Sequence, residues 1–266
     1  MPSPQKPATR FLVTGLPRVG SNLVLHSLSV HPQILAYNEL FNVHHILWGS
    51  SAVDAEPDEA YLALRNEYPL RFLEHVLAAE LPGVTAVGFK LFYMQAGQEE
   101  SEKFRLVWPY LQRMKGLKVV DVVRDNRLKQ AFSWAKARRT SIWLRKGEDG
   151  PDPQNPFAIP FDELHGYFLW FDTMHEARSR LLRGMDTLVA RYEELAEDFP
   201  DQIKRIQQHL GVPPMALPPV TRKQRTAPIA SSLANYRELR ERFAKTPYLK
   251  YFRMAEEEAR CRRAAA

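Results

Sequence analysis

Short apolar runs alternate with amphipathic stretches along this chain. Residues 11–14 form the first run and read as a buried strand. A helix is expected from Ser21 or Asn22 to Val30, where His31 and Pro32 stop it. Residues 33–37 read as a second strand ending at Asn38 and Glu39, and 84–93 as a third that carries Lys90 near its end. Residues 117–123 are almost continuously apolar, as in a central parallel strand, with Arg124 and Asp125 at its end. A last strand is expected over 187–192. Between the strands, apolar positions at helical spacing predict helices over 57–80, 101–114, 126–145, 161–183 and 201–210, the last closed by Gly211. In the 57–80 segment those positions are Tyr61, Leu64, Tyr68, Phe72, Val76 and Leu77.

Strands alternating with helices imply an α/β fold: a P-loop-like three-layer domain whose central, mostly parallel sheet is flanked by helices. One domain is expected over residues 1–266, with a polar, Pro-rich lead at 1–9 and a charged tail at 255–266. Segments 147–160 and 215–228 read as loops, the second one basic. A final helix is expected over 231–243. Trp134, Trp143, Phe168 and Trp170 fall at helical spacing and read as core.

Composition narrows the class. With 45% hydrophobic residues among 266, the chain can bury a sizeable core. The net charge of +6 and a pI near 9.4 favour anionic partners. The basic residues are spread out and lack the aromatic interleaving that stacks bases, so no nucleic-acid partner is expected. Cys261 is the only cysteine, which excludes an internal disulfide and a cysteine zinc cluster. The N-terminus has no apolar signal-peptide core, no stretch is long enough to span a bilayer, and a cytoplasmic location follows.

The chemistry concentrates at the first strand's exit. Gly15 and Gly20 bracket Leu16, Pro17, Arg18 and Val19, and Ser21 and Asn22 open the helix. Such a loop aims backbone N–H groups and a helix N-terminus at an anion. The Gly-x4-Gly spacing copies a nucleotide-binding P-loop, but Ser21 stands where a kinase carries Lys, and the loop's cation is Arg18. The site therefore lacks the Lys-plus-magnesium equipment of γ-phosphoryl transfer, and no metal is expected. In open α/β sheets ligands sit beyond the carboxyl ends of the strands, which draws Arg18, Glu39, Lys90 and Arg124 toward one rim. Glu39, His44 and His45 compete for the role of general base. Lys90 is either a charge stabiliser or a snorkelling lysine. Arg124 and Ser133 form a second possible anion grip, and Arg222, Lys223 and Arg225 a third basic cluster.

The loop reading Pro17-Arg18-x-Gly20-Ser21, joined to an Arg124…Ser133 pair leaving a later strand, resembles the sulfotransferases that use 3′-phosphoadenosine 5′-phosphosulfate (PAPS). Tyr192 to Leu195, Asp198 to Pro200 and Leu210 to Val212 are similar to a stretch common in that family. Within it the likeness is closest to the rhizobial nodulation-factor branch, and more distant to trehalose-type bacterial members. The similar blocks are His31-Pro32, Asn38 to Leu40 with Asn42, residues 124–143, Arg225-Thr226 and residues 235–252.

The resemblance implies sulfuryl transfer from PAPS, with PAP as product, to a hydroxyl of a carbohydrate-type or amphiphilic small-molecule acceptor. It implies that the loop (Pro17, Arg18, Val19, Gly20, Ser21, Asn22) holds the 5′-phosphate. Arg124 and Ser133 would hold the 3′-phosphate, and Arg222, Lys223 and Arg225 would lie over it and the adenine. Glu39 would take the acceptor's proton, while Lys90 and Arg18 would steady the leaving phosphate. The chain departs from the family pattern at Val19, where Ser is usual, and at Asn22, where Thr is usual. The Arg124–Ser133 separation of nine is also one longer than usual. The alternatives are a P-loop-like nucleotide or small-molecule kinase, which would need magnesium, and a non-catalytic nucleotide-binding module of the same fold.

Overall fold

The computed structural model describes residues 7–43, 48–49, 59–79, 81–96, 102–143, 156–220 and 227–264. Its elements run β1 (Thr9–Gly15), α1 (Ser21–Leu28), β2 (Ile34–Glu39), α2 (Glu59–Glu67), α3 (Pro69–Leu77) and β3 (Ala86–Phe92). A 3₁₀ turn at Glu102–Phe104 leads to α4 (Val107–Arg113), β4 (Lys118–Val123), α5 (Arg127–Thr140), α6 (Phe161–Leu181) and β5 (Asp186–Arg191). The chain continues through α7 (Tyr192–Glu197), α8 (Phe199–Leu210), α9 (Ile229–Ser232), α10 (Tyr236–Arg242) and α11 (Leu249–Ala264). The chain groups into two compact units: residues 1–123 with 176–220, and residues 124–175 with 221–266.

The first unit holds a five-stranded sheet in the order β2-β3-β1-β4-β5. Every pairing is parallel, and helices flank the sheet, as the alternating pattern predicts. β1, β2 and β3 are buried almost throughout, which explains their unbroken apolar runs. β1 lies between β3 and β4, where the strand order changes direction, so the loop after it opens at the switch point where such sheets bind ligands. The close β1–β3 approach depends on Gly88. A Cβ there would collide with the Phe11 carbonyl oxygen and ring. Asp121, fully buried on β4, accepts from Tyr93 and from Arg178 Nε at 2.5 Å near the end of α6.

The second unit is built from helices. Asn126 caps α5 by accepting from Lys129 N–H at 3.1 Å, and its amide donates to the Tyr251 carbonyl at 3.2 Å. Arg127 pairs with Asp172, and Lys129 with Glu258. Phe168, Phe243, Tyr248, Tyr251 and Phe252 pack ring on ring.

Several boundaries differ from the sequence pattern. The single helix expected over 57–80 is two, because Pro69 has no N–H to continue the α2 ladder and instead opens α3. The expected tail from 255 is the second half of α11, which buries Tyr251, Phe252 and Ala255 and hides an amphipathic helix beneath its charges. The helix expected over 231–243 is divided into α9 and α10, with Asn235 turned to bind both the N–H and the carbonyl of Ile159. Phe168 is core as expected, but Trp143 is 47% exposed, stacked edgewise on Trp134. Most of the 147–160 segment and of the 1–9 lead lies outside the described residues. No helix among the described residues is long and apolar enough to cross a membrane.

Gly88→Ala is expected to destabilise the protein by about 1–3 kcal/mol or more, since both obstacles are packed and one is backbone. Urea unfolding checks it, and an unchanged midpoint would mean that β1 and β3 can separate freely.

Candidate active site

The loop after β1 is tightly specified. Pro17 and Val19 are buried, and Arg18 is half-buried in the left-handed region at φ 68°. That conformation costs an L-residue about 1–2 kcal/mol. Gly20, at φ 96°, occupies the N-cap position of α1, and an added Cβ would stand 2.7 Å from the Tyr192 ring. A larger residue there would be both strained and blocked. Ser21 is buried and Asn22 half-buried at the first turn, whose N–H groups have no intrahelical acceptor.

Lys90 is the centre of the site. It is completely buried on β3, and its ammonium donates to the Asn22 side-chain oxygen and pairs with Glu39 Oε1 at 3.0 Å. The snorkelling alternative is thereby overturned, because the charge turns inward to partners. Glu39 is no surface residue either: it ends β2 and is 8% exposed. A bulge brings the two together. Tyr37 pairs with Phe89, but Glu39, two residues on, pairs with Lys90, one residue on. Asn38 is the extra residue. Were Asn38 paired in a regular ladder, Glu39 would fall opposite Leu91, on the other face.

Three residues support this pair, and the sequence reading assigns none of them a role. The Gln95 amide donates to Glu39 Oε2 at 2.7 Å and accepts from the Phe92 N–H at 3.0 Å. The Gln95 carbonyl accepts from the Trp108 indole at 3.0 Å. Asn42 donates to the same Glu39 Oε2 at 3.0 Å. Buried Arg65 of α2 donates to the carbonyls of Leu40 and Asn42 at 3.3 and 3.1 Å, which holds the turn that carries Asn42. Its guanidinium also lies over Phe104. Arg65 was legible only as one more helical charge, and Gln95 as a polar residue beyond a strand.

Burial pushes the Glu39 carboxyl up. Lys90, with help from Asn42 and Gln95, outweighs it and leaves the carboxyl below its ordinary range. Glu39 is therefore ionised at neutral pH. Burial lowers Lys90; Glu39 opposes that, and the charge of Arg18 adds to it. Arg18, Asn22, Glu39 and Lys90 thus form one electrostatic group at the carboxyl ends of β1, β2 and β3.

The remaining candidates are placed as follows. His31 is structural, as its position at the helix exit suggested: Nδ1 accepts from the Gln33 N–H at 3.0 Å, and Nε2 faces the Pro213 carbonyl at 2.9 Å. Arg124 directly follows β4 and is half-buried, and Ser133 is half-buried on α5. Both belong to the second unit. His44, His45, Arg222, Lys223 and Arg225 lie outside the described residues.

Comparison with known proteins finds a matching family model, curated relatives and solved structures. A family model described as the Sulfotransferase family matches residues 10–216. Nodulation protein H of Rhizobium meliloti (strain 1021) is 30% identical over 257 residues, 94% of this chain and 97% of that protein. Nodulation protein H of Rhizobium tropici is 27% identical over 260 residues, 96% and 95% of the two chains. Among solved structures, the sulfotransferase domain from the Synechococcus PCC 7002 olefin synthase aligns with a TM-score of 0.48 at 14% identity, covering 97% of this chain and 98% of that one.

Removing one partner of the buried pair should be costly. Lys90→Met is expected to lower stability by about 3–5 kcal/mol, and adding Glu39→Leu should restore part of the loss. Denaturant unfolding of the single and double variants checks this, and a harmless Lys90→Met would show that Glu39 needs no counter-charge. Because the Glu39 carboxyl is depressed in the folded state, the stability it contributes is present above its ordinary value of 4.5. That contribution is lost as pH falls through the lower folded value. Unfolding measured between pH 6 and pH 3, against Glu39→Gln, is expected to show it.

Proposed function

The chain belongs to the sulfotransferase family, and we propose that it moves a sulfuryl group from PAPS to a hydroxyl of a carbohydrate-type or amphiphilic small-molecule acceptor, with Glu39 as general base. The observation that carries this reading is the buried Lys90, which joins an ionised carboxylate to the first turn of the loop helix. A cation and a base meet there at the mouth of an anion cradle, which is the equipment that in-line transfer to a hydroxyl requires.

In this mechanism the 5′-phosphosulfate of PAPS lies on the loop from Pro17 to Asn22. The acceptor oxygen attacks sulfur opposite the bridging oxygen. The new S–O bond forms, the bond from sulfur to the bridging oxygen breaks, and the hydroxyl proton passes to Glu39. PAP leaves with the electron pair. Glu39 is neutral once it has the proton, so Lys90 loses its counter-charge as negative charge appears on the departing phosphate. Asn22 and Glu39 engage two of the three ammonium N–H groups, and in this mechanism the third is assigned to that phosphate. Arg18 adds a second positive charge. Catalysis here is positioning and electrostatics rather than metal chemistry supplied by the loop. Arg124 and Ser133 are assigned to the 3′-phosphate, with Arg222, Lys223 and Arg225 over it, on the family resemblance. The two units act in this reading as one sulfotransferase domain.

Glu39→Gln is expected to reduce turnover about 10²–10⁴-fold and leave PAP affinity nearly unchanged. Turnover is read as PAP released from PAPS with a panel of glycans and long-chain alcohols, and an active variant would remove Glu39 from the base role. Arg124→Ala is expected to weaken PAP binding about 10–100-fold, the range for a hydrogen bond to a charged group. Normal affinity in calorimetry would take Arg124 out of the site. PAP, but not ATP, is expected to raise the melting temperature; at a hundredfold excess over its Kd the gain is about 2.7 kcal/mol. Equal stabilisation by ATP would favour a kinase-like site instead.

A further inference from the structure

We propose that Gln95 is a positioning residue for the Glu39 base, and that it leaves Oε1, the oxygen beside Lys90, as the atom that receives the acceptor's proton. The proposal rests on the reading of Glu39 as the base and adds which oxygen acts and what selects it.

The geometry determines the orientation of the amide. Gln95 Oε1 must accept from the Phe92 N–H, because a flipped amide would set donor against donor. Its Nε2 therefore faces Glu39 and can only donate. The side chain has no freedom to do otherwise: it is 3% exposed, and the residue's own backbone N–H and carbonyl are engaged with Phe92 and Trp108. Asn42 donates to the same Glu39 oxygen. A carboxylate oxygen has two lone-pair sites, so Oε2 is saturated by Gln95 and Asn42. Oε1 has one donor, Lys90, and one site left. An acceptor hydroxyl can give its proton to Glu39 only there, about 3 Å from the ammonium. The base and the cation that meets the leaving phosphate thus work from adjacent atoms.

The groups that face Glu39 are Lys90 from β3, Asn42 from the turn after β2, and Gln95 from the turn after β3, with the charge of Arg18 acting on Lys90. All three direct partners donate, so each favours the ionised carboxylate. Deleting the Gln95 donor must make Glu39 easier to protonate. A carboxyl in its place must do so more strongly, through like-charge repulsion.

The test follows the Glu39 carboxyl directly by ¹³C NMR titration of protein labelled at Glu Cδ, with the resonance assigned by its absence in Glu39→Gln. In Gln95→Leu the midpoint is expected to rise by about one pH unit. The acid limb of PAPS turnover against pH should move up with it. In the isosteric Gln95→Glu, which preserves the packing should the leucine variant fail to fold, the rise should be larger. Adding Glu39→Gln should abolish any further effect of Gln95→Leu on turnover, since the amide acts through that carboxylate. A folded Gln95 variant with an unmoved Glu39 midpoint would overturn the proposal, as would a fall in turnover that persists undiminished in the Glu39→Gln background. If Glu39→Gln itself keeps full turnover, the base reading fails, whatever the titration shows. If that variant is inactive while the Gln95 variants titrate normally, the positioning role alone fails.

Discussion

The ion pair between Lys90 and Glu39 is the constraint around which the first unit is organised. An ammonium with no exposed surface is tolerable only beside a compensating charge, because the cost of taking it out of water reaches several kcal/mol. β2 meets that need by leaving Asn38 out of the ladder, which sets Glu39 in register with the lysine and on its face. The same ammonium donates to Asn22, so α1 and the loop before it are tied to the pair. A single buried cation therefore sets the relation between the loop, the second strand and the third.

The carboxylate end of the pair is as closely held as the lysine. Gln95 and Asn42 donate to one oxygen, and Arg65 holds the turn from which Asn42 reaches back. These contacts keep Glu39 ionised in spite of its burial. The sheet solves the same problem a second time. Asp121, fully buried on β4, is met by Tyr93 and Arg178. Lys90 shares a register with Val13 and Asp121 with Thr14, so the two networks lie on opposite faces of the sheet on either side of β1. One network faces the loop helix, and the other anchors the end of α6.

Much of this was legible from residue order. The strand-loop-helix at residues 11–28, the valine-rich strand ending at 123 and the strand carrying Lys90 follow from apolar runs and glycine spacing, and all three are where the pattern placed them. The resemblance to sulfotransferases, read from the same loop, agrees with the family match over residues 10–216. Elements were lost where charge or proline hid the local signal. The Tyr68–Pro69 junction interrupts a pattern that otherwise repeats at helical spacing. In α11 a dense run of charges conceals the buried face of Tyr251, Phe252 and Ala255.

The sequence by itself determined the parallel α/β fold, the glycine-bracketed loop after β1 and the presence of one carboxylate and one lysine near strand ends, because periodicity, glycine placement and chain order are local properties. Only the tertiary structure decided that the two charges meet, that the lysine points inward, and that Gln95, Asn42 and Arg65 hold the carboxylate. Those facts depend on a one-residue shift in strand register and, apart from the local Asn42–Glu39 bond, on contacts between residues 20 to 70 positions apart. Neither leaves a mark on the spacing of residues along the chain.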